Sequence, residues 1–173
     1  MCNPTSAASL SVRVSEDSVT LPNSHLPLVY LGKQYLLKVL EDPNVMPQVK
    51  LLRGKLEVTL RQKSAVKVQQ LVNDWYKVRA KEVFAKRLEA MLEQTLWVVE
   101  RLPLRILTMQ TQWGSCSPQG RLTLNPHLVK APRECIDYVI LHELCHLAEH
   151  NHSERFYLIK ARLDARAGGY VLA

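Results

Sequence analysis

Between Lys55 and Leu60 apolar and polar positions alternate, with Leu56, Val58 and Leu60 set against Glu57 and Thr59. That period of two predicts a half-buried strand. Val49–Leu52 lies just before it across Arg53-Gly54, so the pair reads as a hairpin. Leu28–Leu31 and Gln34–Leu40 flank Gly32-Lys33 and predict another. The connection Glu41–Pro47 holds Pro43, Pro47 and an Asp-Pro pair, which predicts a loop. From Ser64 to Trp97 there is neither Gly nor Pro, and Val68, Leu71, Val72, Trp75, Val78, Leu88, Met91, Leu92 and Leu96 recur at helical spacing. This predicts one long helix, or two with a kink near Ala80. Leu104–Gln112 reads as a strand, 114–120 as a turn, and Arg121–Asn125 as the returning strand. A loop at Pro126–Ala131 leads to a helix with Pro132 at its first position and Glu134 at the positive end of its dipole. That helix runs to about Glu149. Asn151 suits the left-handed residue that ends a helix, and Ser153 can cap a last helix closing at Gly168-Gly169.

Residues 1–25 are polar and Ser-rich and read as a loosely ordered leader, with a short strand at Ser11–Val14. Residues 26–173 are expected to form a single domain. Hydrophobic residues make up 47% of the 173 positions and aromatics 6%, so aliphatic side chains carry the packing. No run approaches the roughly 20 apolar residues that span a bilayer, and the leader lacks a signal-peptide core. A cytoplasmic setting with reduced thiols is expected. The four cysteines form no CxxC pair, which excludes a zinc ribbon. The formal charge of +7 permits an anionic partner, although a solvated basic surface explains it as well. Lys67, Lys77, Lys81, Lys86 and Arg87 fall on the polar face of the long helix.

Four of the six histidines lie between His142 and His152, and His142-Glu143-Leu144-Cys145-His146 is an HExxH motif. With about 100° per residue, His146 falls about 40° from His142, while Ile136, Ile140, Leu144 and Leu147 lie between about 120° and 200°. One face packs and the other offers two imidazoles, which can reach one zinc ion. Glu143 is then placed to take a proton from a metal-activated water. A third ligand is required. On a continued helix His150 would lie about 12 Å from His142, too far for nitrogens sharing one zinc at about 2.1 Å. The chain must turn back, which makes His152 the better third ligand, provided the helix ends at about Glu149 to Asn151. Cys135 lies two turns before His142, and Cys145 points off the ligand face. Both read as small packing residues.

Thr111-Gln112-Trp113-Gly114-Ser115-Cys116-Ser117, Leu124-Asn125, Ala131-Pro132, Ile136 to Leu147, and Asn151-His152-Ser153 with Phe156 together resemble the YgjP-type metallopeptidases, zincins related to the SprT-like proteases. The resemblance covers about Leu102 to Lys160. It implies an α+β, zincin-like minimal metallopeptidase, with a small mixed or antiparallel sheet packed on a long helix and the HExxH helix. It also implies one zinc per chain held by His142, His146 and His152, with Glu143 as general base. Gln112 departs from the basic residue usual in the family. The metzincin spacing is also present, but Glu149 replaces its glycine and no methionine follows Met109.

The function expected from these residues is hydrolysis of peptide bonds in a peptide or unfolded protein, by a zinc-activated water. The stretch Thr108–Trp113 is expected to offer a sheet edge to an extended substrate. Tyr138, His150, Arg155 and Tyr157 stand near enough in sequence to stabilise an oxyanion. The alternatives are a nucleic-acid-associated module or a protease of DNA-bound proteins with SprT-like character, and a latent enzyme that needs a partner or processing.

Overall fold

The computed structural model describes residues 27–95, 98, 102–149 and 151–166. The leader, His150 and the Gly168-Gly169 helix end lie outside the described residues. The chain forms two compact units, one of Met1–Leu28 with Gln34–Asp74, the other of Val29–Lys33 with Trp75–Ala173. Four strands, β1 (Pro27–Tyr30), β2 (Lys33–Glu41), β3 (Gln48–Leu52) and β4 (Lys55–Leu60), form a sheet in the order β1-β2-β4-β3.

The first unit shows the expected alternation. β3 pairs antiparallel with β4, while β2 pairs with β4 in parallel. The loop after β2 carries the chain past the place that β4 later fills. Pro43 and Pro47 interrupt pairing there, the Asn44 amide donates to the Asp42 carboxylate, and the Asp42 amide donates to the Leu60 carbonyl at 2.8 Å. In register, Leu37, Leu56 and Leu51 share one face with Val39, Val58 and Val49. Leu37, Leu56, Val58 and Leu60 of this unit are buried. The opposite face carries Lys38, Glu57 and Lys50 in one row, with the Lys38 ammonium 3.1 Å from the Glu57 carboxylate. At the β3–β4 turn Arg53 and Gly54 have φ of 46° and 77°, the doubly left-handed geometry that two-residue hairpins favour.

The turn between β1 and β2 sits one residue earlier than expected, at Leu31-Gly32 rather than Gly32-Lys33, with φ of 50° and 75°. Val29–Lys33 belong to the second unit, and contacts within that unit set the turn's position. The Leu31 amide donates to the Val129 carbonyl at 2.9 Å and the Gly32 amide to the Lys130 carbonyl at 3.0 Å. A Cβ on Gly32 would lie 2.9 Å from Pro132 Cγ. Tyr76 adds a third tie, its hydroxyl donating to the Val29 carbonyl at 2.7 Å.

Helix α1 (Ala65–Leu92) is one continuous helix. Val68, Val72, Trp75, Tyr76, Ala80, Phe84, Leu88 and Met91 are buried along it, a stripe at three- and four-residue spacing. Val78, expected on this stripe, is instead 55% exposed, because Tyr76 and Ala80 turn it to the far side. Arg87, expected on a solvated basic face, makes a two-pronged contact with Asp137. Its Nε donates to Oδ1 and its Nη2 to Oδ2, each at 2.6 Å. The contact ties α1 to the first turns of α2 (Arg133–Ala148).

In the second unit β5 (Leu104–Ile106), β6 (Gly114–Cys116) and β7 (Leu122–Leu124) form a sheet in the order β5-β7-β6, with β6 antiparallel and β5 parallel to β7. The strand expected over Leu104–Gln112 stops at Ile106, and 107–113 is irregular. The cause is Asn125, a buried polar side chain with every group used. Its Nδ2 donates to the Met109 carbonyl at 2.7 Å and the Gln112 carbonyl at 3.1 Å, and its Oδ1 accepts from the His127 amide at 3.2 Å. Carbonyls that a strand would give to a neighbour are taken by this amide. A short 3-10 turn (Pro126–Lys130) leads into α2, which packs against β6 and against α3 (Glu154–Arg166).

Two stability effects follow. Gly32→Ala forces a Cβ into a left-handed residue, which costs about 1–2 kcal/mol before the contact with Pro132 is counted; urea unfolding should show at least that loss. Asn125→Ala leaves the Met109 and Gln112 carbonyls without their donor, which should lower stability by about 1–3 kcal/mol and speed proteolytic nicking in 107–113.

Candidate metal centre and active site

Helix α2 begins after Pro132, which acts as the N-cap with an extended ψ of 155° rather than as the first helical residue. Ile136, Ile140, Leu141, Leu144 and Cys145 are buried, so one face is fixed by packing and the other by exclusion. His142 and His146 stand on that other face with ring centroids 5.0 Å apart. The helix ends at Ala148, as required for the chain to return. The break is not a left-handed Asn151. It is an extended Glu149, at φ −147° and ψ 111°, whose amide still donates to the Cys145 carbonyl. Ser153 then caps α3 as expected, its hydroxyl accepting from the Phe156 amide.

This turn brings His152 back. Its Nε2 lies 3.2 Å from His142 Nε2, and one ligand atom from each of His142, His146 and His152 lies within 4.8 Å of the others. Ligands bound tetrahedrally at about 2.1 Å to one zinc are about 3.4 Å apart. Two facing Nε2 atoms alone could be an imidazole–imidazole hydrogen bond. The third ring on the same point makes this a cluster that could hold a metal ion. Phe156, fully buried, lies 4.8 to 5.1 Å from all three ring centroids and forms a wall beneath them. Burial, with Lys160 and the other two imidazoles nearby, pushes the His142 pKa down to about 4. The ring is therefore neutral near pH 7, with a lone pair to offer. His142 Nδ1 is buried without a hydrogen-bond partner.

Glu143, one residue beyond His142, is 9% exposed. Burial raises its pKa to about 7, and a hydrogen bond from the Cys116 amide opposes that rise. The carboxyl lies over β6, where a Cβ built on Gly114 would be 2.9 Å from Glu143 Cγ and 3.1 Å from Oε1. The pairing pattern explains why the Cys116 amide is available. Trp113 accepts from the Asn125 amide and Ser117 donates to Arg121, so residues 113, 115 and 117 turn their backbone groups toward β7. Gly114 and Cys116 turn theirs the other way. The expected edge at Thr108–Trp113 is thus corrected: those residues are a loop, and the sheet edge beside Glu143 is β6.

Other residues singled out earlier are less closely placed. The Tyr138 ring is stacked 6.3 Å from His142 and carries Lys160 Nζ 3.6 Å from its centroid. Tyr157 is exposed, 6.4 Å from His152. Arg155 is exposed. Cys116 and Cys145 are free thiols, and burial beside Glu143 raises the Cys116 pKa to about 11, so it is not an activated nucleophile. Gly114, Asn125 and Phe156 were legible only as parts of the resemblance. Nothing in their spacing marked what they touch.

Among solved structures the chain is similar to the metallopeptidase zymogen of Pyrococcus abyssi abylysin, at 21% identity over 49% of this chain and 90% of that one, with a TM-score of 0.42. It is also similar to the metallopeptidase zymogen of Methanocaldococcus jannaschii jannalysin, at 26% identity over 52% of this chain and 75% of that one, with a TM-score of 0.36. None of the curated proteins compared matches the chain. No helix among the described residues is long and apolar enough to cross a membrane. The sequence profile of the YgjP-like metallopeptidase domain matches residues 10–164, well beyond the Leu102–Lys160 stretch that carries the resemblance. The chain belongs to the YgjP-like metallopeptidase family and is a metal-dependent peptide hydrolase.

Proposed function

We propose that the metal is zinc, that His142, His146 and His152 hold it, and that Glu143 is the general base for hydrolysis of peptide bonds in unfolded or extended protein. The observation that carries this reading is the convergence of three imidazoles from two sides of a helix break, with a buried carboxyl next to them. Three nitrogen ligands suit a catalytic zinc, which keeps one position open. Zinc in such a site supplies Lewis acidity, polarising a carbonyl and making water easier to deprotonate. Glu143 takes the proton from the attacking water and delivers it to the departing amine. Burial, which raises this carboxyl's pKa, favours its holding the proton between those two steps. The outward backbone groups of Gly114 and the outward Cys116 carbonyl on β6, which the contact from the Cys116 amide to Glu143 leaves open, suit an extended peptide added as a further strand, which would lie beside Glu143.

The test is metal content measured together with hydrolysis of a labelled unfolded protein. Glu143→Gln is expected to bind zinc as the wild type does and to lose hydrolysis. A Glu143→Gln protein with wild-type turnover would sink the assignment of the base. His152→Ala should weaken zinc binding by more than about 100-fold, beyond the 10–100-fold that loss of a supporting residue gives. Retention of zinc by His152→Ala would move the third ligand elsewhere. A chelator should abolish hydrolysis, and added zinc should restore it.

A further inference from the structure

We propose that Gly114 is a positioning residue for Glu143: its bare Cα and the Cys116 amide together fix where the carboxylate stands. The inference rests on the reading of Glu143 as general base and adds what aims it. A long flexible glutamate has three side-chain torsions, and burial alone does not choose among them. Two features of β6 do. The Cys116 amide points away from β7 and donates to the carboxylate, giving it one fixed oxygen. Two residues earlier, on the same edge, Gly114 leaves the space that the Glu143 Cγ and carboxyl fill. A Cβ there would meet Cγ at 2.9 Å, Oε1 at 3.1 Å and Cδ at 3.2 Å. Separations below 3.0 Å do not occur between real Cβ atoms and their neighbours, so something would have to move.

What moves decides the readout. The three nearest neighbours of the added Cβ all belong to the Glu143 side chain. The side chain can rotate away at small cost, whereas the strand is held to β7 by the backbone groups of residues 113, 115 and 117. A methyl group at 114 therefore displaces the carboxylate and leaves the fold in place. His142 and His146 are held separately, on the helix and against Phe156, so metal binding is spared.

The experiment compares wild type, Gly114→Ala, Glu143→Gln, Glu143→Asp and the Gly114→Ala/Glu143→Asp pair. It measures zinc affinity, thermal midpoint, kcat and KM on a labelled unfolded protein, and the Cys116 amide by 15N NMR in the zinc-loaded protein. For Gly114→Ala, zinc affinity, thermal midpoint and KM are expected to stay near wild type. kcat is expected to fall about 100-fold, the scale of an ångström-sized misplacement. The Cys116 amide proton is expected to move upfield and exchange faster, as it also does in Glu143→Gln. With Glu143→Asp, whose carboxyl is already displaced, adding Gly114→Ala is expected to cost less than the product of the single losses. An unchanged Cys116 amide in Gly114→Ala overturns the proposal, whatever the activity. So does a loss that tracks zinc affinity or thermal midpoint, or multiplies with Glu143→Asp. If Glu143→Gln remains active while the Gly114→Ala amide shift is seen, the assignment of the base fails and the positioning contact stands.

Discussion

The site depends on where α2 stops. Residues four apart on a helix share a face, but a third ligand further along the same helix is carried off at about 1.5 Å per residue. The chain has to leave helical geometry before a third imidazole can meet the first two. An extended Glu149 does this while its amide still closes the last helical hydrogen bond. Ser153 then starts α3 at once, and Phe156 in its first turn goes under the rings. The spacing from the helix end to His152 and then to Phe156 is therefore a single geometric unit.

The carboxyl side of the site obeys a different constraint. Glu143 is buried next to His142, and an isolated buried carboxylate is costly. Its burial is tolerable because the β6 edge supplies a backbone donor and a gap of matching size. The irregular stretch before β6 is held in turn by Asn125, so the strand that meets Glu143 is anchored at its start by a side chain from β7's far end. This gives Leu124-Asn125 and Trp113-Gly114-Ser115-Cys116 one structural reason to occur together in a chain.

Much of this was legible in the sequence. The HExxH spacing, the distance that disfavours His150 and favours His152, the Ser153 cap and the Arg53-Gly54 turn all follow from local geometry. What was missed depends on partners far along the chain. Arg87 read as a solvated cation because Asp137 lies 50 residues away. Leu104–Gln112 read as a strand because its apolar content is strand-like, and nothing within it announces that Asn125 will take two of its carbonyls. Val78 was put on the packed stripe and Phe84 was overlooked. Both errors come from following large aliphatic residues when the stripe in fact passes through Tyr76, Ala80 and Phe84.

Hairpin tips are ordinarily where a chain accepts insertions and sequence drift, because nothing else touches them. The tip at Leu31-Gly32 is the opposite. Its two amides are spent on the carbonyls of Val129 and Lys130, just before the residue that caps α2. Lengthening that loop by one residue would uncouple the tip from the start of the helix that bears His142, Glu143 and His146. Length variation among relatives should therefore concentrate in the loop after β2, while the shorter loop before it stays at two residues.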